Sequence, residues 1–495
     1  MKEKKPVTTF MAFLPIIFMA FMVYFGNILF GIKLEFILLL ASLVAALVGL
    51  KCGYTWEELL DAYTKKFAKA FPAILILVAV GGVVGTWMYS GTVPMMIYYG
   101  IKLLHPKFVV VTAFVVTAIV STFTGTSWGS AATSGVAFMG IAGSMGIPLP
   151  LVAGAVISGA FFGDKVSPVS DTTNLNAMAA EISVYEHVRG MLPNVTMSAI
   201  IAIIGFTFAG SYFYNGNTEI SAATLKILTD LESIYHFNIF MLIPPIIVFG
   251  GGYFGASALL LMLASSVVAM FVGSFSNGFA FADAAVALIS GFNVNMAPGV
   301  NLADFSPRLL GLLNRGGFTS MMAGSVLFCF LAIPFGSFME VTGCLHKIVE
   351  QLSKAIKGPY SLIVVTFFSG ATINAITGNG QFSIITTGQL FKESFKEKHI
   401  PLNVLSRTSE NSMTLLECLL PWHVTAVYMA STLGVPTVEY LKWSFFNILG
   451  IVIFFILQYR LAKKITLDEK QGKFNKENIN YEEENLNNNI EIENI

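Results

Sequence analysis

The chain has 495 residues, 55% of them hydrophobic and only 12% charged, with a mean hydropathy of +0.72. That is more apolar surface than one water-soluble core can hide, so lipid must be part of its solvent. The 29 basic and 29 acidic residues cancel, which removes any global charge argument for a nucleic-acid or acidic partner.

Reading from the N-terminus, MKEKKP precedes an apolar run over 10–30 that is too long for a signal-peptide core and lacks a small-residue cleavage site. It reads as the first retained membrane helix. Its lysines, with Lys65, Lys66 and Lys69, favour a cytoplasmic N-terminus in a multi-pass protein of the cell inner membrane. Further spanning candidates fall at 34–50, 71–98, 108–124, 148–163, 191–213, 237–273, 317–343, 361–376 and 439–461, giving about ten to thirteen crossings. Residues 54–71 mix Trp56, Glu57, Glu58 and lysines with apolar side chains and read as an amphipathic interfacial helix. After Leu461 the composition turns to Lys, Glu and Asn, a tail too polar to repay ordering and expected to be disordered. Cys52, Cys329, Cys344 and Cys418 show no CxxC spacing and read as packing residues.

An internal repeat organises this list. At an offset of 253 residues Pro106 meets Pro359, Thr124-Gly125 meets Thr377-Gly378, Ile147-Pro148-Leu149 meets Ile400-Pro401-Leu402, Pro168 meets Pro421 and Thr172 meets Thr425. The chain then divides into N-terminal helices and the interfacial helix (1–70), a first repeat (71–213), a connecting membrane region (214–316), a second repeat (317–461) and the polar tail (462–495). Transporters built from repeats place their substrate where interrupted helices face one another. Polar, Gly-bearing stretches at 122–130 and 372–383 supply such interruptions, because non-helical backbone survives at membrane depth only inside protein or beside a wet cavity.

The densest polar cluster in apolar surroundings is Gly163-Asp164-Lys165-Val166-Ser167-Pro168-Val169-Ser170-Asp171-Thr172-Thr173-Asn174. An ionisable side chain in a membrane segment is expensive, so function is its default reading. Sodium, like the hard divalent cations, wants oxygen ligands. Asp164 and Asp171, with Ser167, Thr172, Thr173 and Asn174, offer them, and Pro168 frees backbone carbonyls. Burial disfavours the charged form of a carboxyl, so one site binds either a sodium ion or a proton. The plain alternative pairs Asp164 with Lys165 at the interface and leaves 167–174 as an exterior loop. Thr126, Ser127, Asn379 and Gln381 on the two interruptions are expected to face the site.

In the second repeat Glu410, Asn411, Thr414 and Glu417 play the same part, and Glu417 is the repeat partner of Asp164, each four residues before a proline. Arg407 is a simple surface partner for Glu410. His423 reads as a proton carrier or, more simply, as a hydrogen-bonded structural histidine. Asp283, Asn293, Asn295 and Asp304 match no ligand spacing, Asp283 suiting a helix start. Glu340 suits either an interface or a pathway. The sequence holds no P-loop or HExxH, and its GxSxG string, Gly125-Thr-Ser-Trp-Gly129, has no nucleophile-elbow context or His/Asp partner set, so the chain reads as no enzyme and carries no catalytic residues.

These residues resemble the NhaC family of sodium/proton antiporters, within the ion transporter superfamily. The resemblance is carried by Thr124-Gly-Thr-Ser-Trp-Gly129 with Ala131-Ala132-Thr133, by 153–174, by Asn314-Arg-Gly-Gly-Phe-Thr-Ser-Met321, and by Ser406-Arg-Thr408 through Pro421-Trp422. It implies an all-α polytopic protein with two inverted repeats and broken or re-entrant helices at the centre. It also implies exchange of Na+ for H+ by alternating access, with Na+ at Asp164 and Asp171 and no cofactor beyond the transported ions. The partners are the bilayer, Na+ and H+, and a homodimer is compatible with the resemblance. The rival it brings is sodium- and proton-coupled exchange of organic anions such as malate and lactate, or of amino acids. That rival needs a cation for the substrate carboxylate, from Lys165, Arg315 or a half-helix N-terminus. The chain departs from the family at Asn411, where an acid is usual, at Glu417, where a small hydroxyl residue is usual, and at His423, where Asn is usual.

Overall fold

A computed structural model of the chain describes residues 4–168, 170–214, 222–253 and 256–470. Among them every regular element is helical, and ten helices are long and apolar enough to span a bilayer, or eleven if one bent pair is counted. Large apolar side chains such as Phe208, Phe275 and Leu260 stand exposed on the outside, while polar side chains including Asn374, Thr408 and Ser412 are buried within. That inversion is what a lipid solvent selects.

The N-terminal part contains α1 (Thr9–Phe21), α2 (Leu34–Lys51) and α3 (Trp56–Ser90). The expected interfacial helix and the next span are one element: α3 runs 35 residues through Pro72, started by a capping box between Thr55 and Glu58. Gly91, in the left-handed conformation, ends it and opens α4 (Thr92–Leu103).

The first repeat continues with α5 (Val109–Thr124), α6 (Ser127–Ser130), α7 (Val136–Met145), α8 (Leu149–Val166), α9 (Asp171–Ala180) and α10 (Val184–Tyr212). A π-turn at Ala131–Gly135 joins α6 to α7. The chain reverses at Gly125, where φ is 66°. α5 and α8 meet backbone to backbone: a Cβ on Gly159 would lie 2.3 Å from the Phe114 carbonyl oxygen, and one on Gly163 would lie 2.4 Å from the Thr122 nitrogen. Small residues permit this approach, and it fixes the height of Asp164, the next residue.

The connecting region holds α11 (Ala222–Ile234), α12 (Ile243–Tyr253), α13 (Ala258–Asn277), α14 (Phe281–Ser290) and α15 (Pro307–Leu313). The single span expected over 237–273 is instead split between α12 and α13, and α11 and α12 meet at a bend of 103°. Asp283 lies in the first turn of α14, whose N-cap is Ala280.

The second repeat contains α16 (Phe318–Met321), α17 (Leu327–Val341), α18 (Cys344–Ser353), α19 (Pro359–Thr377), α20 (Gly380–Glu397), α21 (Leu402–Thr414), α22 (Val424–Leu433), α23 (Thr437–Tyr440) and α24 (Phe445–Lys470). Here the repeat becomes structural. At the 253-residue offset α5 and α19 end together, α8 and α21 begin together, and α9 and α22 coincide at both ends. Both reversals use a left-handed glycine, Gly125 and Gly378. The halves also trade partners: α9 packs on α20 and α21, while α22 packs on the π-turn of the first half. α24 continues nine residues beyond Leu461, burying Ala462 and Ile465, so the helix includes the start of the segment expected to be disordered; residues 471–495 lie outside the described residues. The four cysteines are buried and free.

Candidate functional site

Four helix interruptions converge between the halves: the two reversals, the break between α8 and α9, and the longer break between α21 and α22. Asp164 lies on the last turn of α8, 5% exposed. Its Oδ2 accepts a hydrogen bond of 2.9 Å from the Ser127 hydroxyl, and its Oδ1 one of 2.6 Å from Ser170. Ser127 opens α6 just after the reversal, and Ser170 is the N-cap residue of α9. The Ser170 hydroxyl does not cap its own helix; it serves Asp164 instead. Ser167 fixes the break by donating to the Thr122 carbonyl at 2.7 Å, and the Thr173 hydroxyl donates to the Asp164 carbonyl at 3.2 Å.

Lys165 is fully buried and turns to the other repeat. Its Nζ lies 3.7 Å from Glu410 Oε1 and donates to Asn411 Oδ1 at 3.1 Å. Neither Asp164 with Lys165 nor Glu410 with Arg407 forms the simple pair that sequence proximity suggests. Glu410 and Asn411 are themselves fully buried on α21. Asn176 donates to Glu410 Oε2, Asn194 donates to Asn411 Oδ1 at 3.3 Å, and the Thr414 hydroxyl donates to the Glu410 carbonyl at 2.8 Å. Three acceptor oxygens in this layer, Glu410 Oε1, Asn176 Oδ1 and Asn194 Oδ1, are buried with no hydrogen-bond donor among the described residues.

Glu417 is 7% exposed in the α21–α22 break. A Cβ on Gly380 would lie 3.0 Å from its Oε2, so the carboxylate rests on the first residue of α20. Asp164, Glu410 and Glu417 all lie within electrostatic reach of Lys165. Three acids around one lysine give a buried cluster with room for two further positive charges, which burial makes costly unless they are supplied.

Asn379 belongs to the reversal but is spent on capping α20, accepting from the Phe382 N–H at 2.9 Å. Thr126 caps α6 in the same way, accepting from Gly129 at 3.3 Å. Thr172 pairs with Ser170 at 3.0 Å, and Asn174 donates to the Pro168 and Ser170 carbonyls at 2.8 Å each. Two expected residues fall outside the cluster. Asp171 is exposed on the first turn of α9 and accepts no hydrogen bond among the described residues, so it does not form a joint site with Asp164. Gln381 is exposed on α20. Asp171 is the first residue of α9 and Gln381 the second of α20, so both lie in a first helical turn. Val169, in the middle of the motif, lies outside the described residues.

His423 is hydrogen-bonded at both ring nitrogens. Its Nδ1 accepts from the Thr425 N–H at 3.1 Å, which leaves its Nε2 to donate to Asn374 Oδ1 at 2.9 Å. Glu340 pairs with Lys66 at 2.6 Å, away from the cluster.

Sequence reasoning undervalued Lys165 as a member of the site and missed Ser170, Asn176 and Asn194. Asn176 was readable as the residue three past Thr173, hence on the same face of α9. Asn194 was readable as an amide inside an apolar membrane helix.

Interrupted helices meeting around buried carboxylates at the seam of two repeats define a membrane transporter of ions or small solutes. The sequence model of the Na+/H+ antiporter family matches residues 3–211 and again residues 159–460. The chain is 39% identical over 445 residues to an uncharacterised Na+/H+ antiporter of Haemophilus influenzae, covering 90% of this chain and 94% of that one. It is 32% identical to the malate-2H+/Na+-lactate antiporter of Bacillus subtilis, covering 89% and 92%. It is 31% identical to the Na+/H+ antiporter NhaC of Alkalihalophilus pseudofirmus, covering 95% and 100%. This chain belongs to the Na+/H+ antiporter family.

Proposed function

We propose that the protein exchanges Na+ for H+ across the cytoplasmic membrane by alternating access, with Asp164, Glu410 and Glu417 as the carboxylates that hold either sodium or protons. The observation that carries this reading is the buried excess of acid: three carboxylates lie within electrostatic reach of one lysine, and Asp164 is already dressed by two hydroxyls whose oxygens suit a hard cation. Sodium and protons compete for the same negative charge, so loading one releases the other. Movement of one repeat against the other, about the interrupted helices, exposes the cluster to each side in turn.

The lysines flanking the first helix favour a cytoplasmic N-terminus. A homodimer is compatible with this reading. The rival exchange of an organic anion or amino acid has support from the malate-2H+/Na+-lactate relative. Within the cluster, though, Lys165 is committed to Glu410 and Asn411, leaving no cation there for a substrate carboxylate.

The test is an everted vesicle containing the protein and an imposed pH gradient. Added sodium should dissipate the gradient, and Asp164→Asn should abolish the response while the protein is still inserted. A wild-type protein indifferent to sodium would overturn the reading.

A further inference from the structure

α6 is the one-turn helix that brings Ser127 to Asp164, and four residues make too little helix to hold their own place. Local bonds tie part of it down. Thr126 caps it, the Ser130 hydroxyl donates to the Thr126 carbonyl at 2.5 Å, and the Thr133 and Ser134 hydroxyls of the π-turn donate to the Gly129 and Ser130 carbonyls at 2.8 and 2.9 Å. All of these bonds begin and end in the first repeat, so none of them fixes α6 against the facing half.

Tyr428 of α22 does. Its hydroxyl donates to the Trp128 carbonyl at 2.6 Å, and its ring stacks on the Trp128 indole, with centroids 4.3 Å apart and planes 13° from parallel. Tyr428 is fully buried, where a tyrosine needs a partner for its O–H, and the ring contact adds a second constraint on direction. The helix behind it is itself anchored. His423, the N-cap of α22, bonds Asn374 of α19, and the Tyr440 hydroxyl reaches the Cys418 and Ala426 carbonyls at 2.7 and 3.4 Å. Thr425, three residues before Tyr428 and so on the same helical face, stands beside Glu417. One turn of α22 therefore touches both the break that holds one carboxylate and the short helix that serves the other.

Trp128 follows Ser127 in the chain, so holding its peptide sets the direction from which the Ser127 hydroxyl meets Asp164 Oδ2 at 2.9 Å. Groups that orient the ligands of a metal ion without touching it commonly change its affinity about 10–100-fold when removed. We propose that Tyr428 is a positioning residue of the exchange: through Trp128 it aligns Ser127 and sets the sodium affinity of the Asp164 site. This inference rests on the cation-exchange reading above and assigns the affinity of that site to a residue of the opposite repeat.

The test measures the half-saturating sodium concentration and the maximal rate of gradient dissipation in everted vesicles for the wild type, Tyr428→Phe, Ser127→Ala and the double variant, at matched amounts of inserted protein. Tyr428→Phe keeps the ring stack and removes the hydroxyl, while the Trp128 carbonyl still accepts from the Ala131 N–H, so no group is orphaned. It should raise half-saturation at least about threefold, less than Ser127→Ala does, and leave the maximal rate within about twofold of wild type. The double variant should match Ser127→Ala alone, because the tie acts only through that hydroxyl. Should Tyr428→Phe not insert, Trp128→Leu, which keeps the carbonyl and removes the stacked ring, should shift half-saturation in the same direction. An unshifted half-saturation, a loss confined to the maximal rate, or effects that multiply in the double variant would each overturn the proposal. Wild-type protein indifferent to sodium would overturn it together with the cation-exchange reading, whereas an intact wild-type response abolished by Asp164→Asn, with Tyr428→Phe unshifted, would overturn this inference alone.

Discussion

The α8–α9 break and the α21–α22 break are repeat partners with the same frame and different chemistry. Both follow a helix begun by a proline, and both carry an acid at the equivalent position, Asp164 and Glu417. In the first, the reversal supplies Ser127 to the carboxylate and the N-cap residue Ser170 supplies a second hydroxyl. In the second, the position equivalent to Ser127 is Gly380, and the equivalent of Ser170 is His423, which caps its own helix. The longer glutamate reaches into the space that a serine side chain would occupy. Asp with Ser on one side and Glu with Gly on the other fill similar volume, but the first gives its carboxylate two serine hydroxyls, whereas Glu417 has the Thr425 hydroxyl beside it. Duplication therefore set the geometry, and substitution made the two carboxylates unequal.

The largest expected effect comes from the residue that ties the breaks together. Lys165→Met leaves Glu410 buried without its cation, and breaking a buried pair costs about 3–5 kcal/mol. We expect exchange to be lost and the thermal midpoint of the detergent-solubilised protein to fall steeply. Adding Glu410→Gln should restore much of the stability but not the exchange. If Lys165→Met is as stable as wild type, the cluster is not held by this cation.

Gly380→Ser is the next in size. Its Cβ would lie 2.5 Å from Met413 Sδ and 3.0 Å from Glu417 Oε2, so the glutamate must withdraw. We expect exchange to drop about tenfold, and the double variant with Glu417→Asp, a copy of the first break, to recover most of it; coupling of about 1–3 kcal/mol is usual for touching residues. Additive losses in the vesicle assay would deny that the two positions share one volume.

How far the sequence foretold this follows from which interactions are local. The reversals at Gly125 and Gly378 were legible because a left-handed glycine and the capping residue after it stand side by side in the chain. The repeat was legible because proline and glycine constrain the backbone independently of their neighbours. The direction of a side chain was not. Lys165 and Asp164 are adjacent yet face different partners, since successive residues on a helix point about 100° apart, and only the tertiary contacts of the α8 end, with Ser127 of α6 on one side and Asn411 of α21 on the other, say which face is which. The continuity of α3 was hidden for another reason: its polar first turns and apolar later turns read as two environments, although Pro72 falls within one uninterrupted helix.

Ser127→Ala and Ser170→Ala each remove one hydroxyl from Asp164. A hydrogen bond to a charged group is worth about 1.5–3 kcal/mol, so each should raise the half-saturating sodium concentration by about tenfold or more and leave the maximal rate less affected. Unchanged sodium dependence in both would mean that these hydroxyls only position the carboxylate.

The smallest expected effect is the most pointed, because it opposes the motif to the structure. Asp171 shares the polar string with Asp164, yet it is exposed at the start of α9 while Ser170 beside it turns inward. Its charge is solvated or screened, and an exposed carboxylate of this kind contributes at most about 1 kcal/mol. Asp171→Asn should thus change the sodium response by less than about twofold under conditions where Asp164→Asn abolishes it. A loss as complete as that of Asp164→Asn would mean that α9 turns its first residue into the cluster during transport, and that the two breaks differ more in motion than in the side chains they hold.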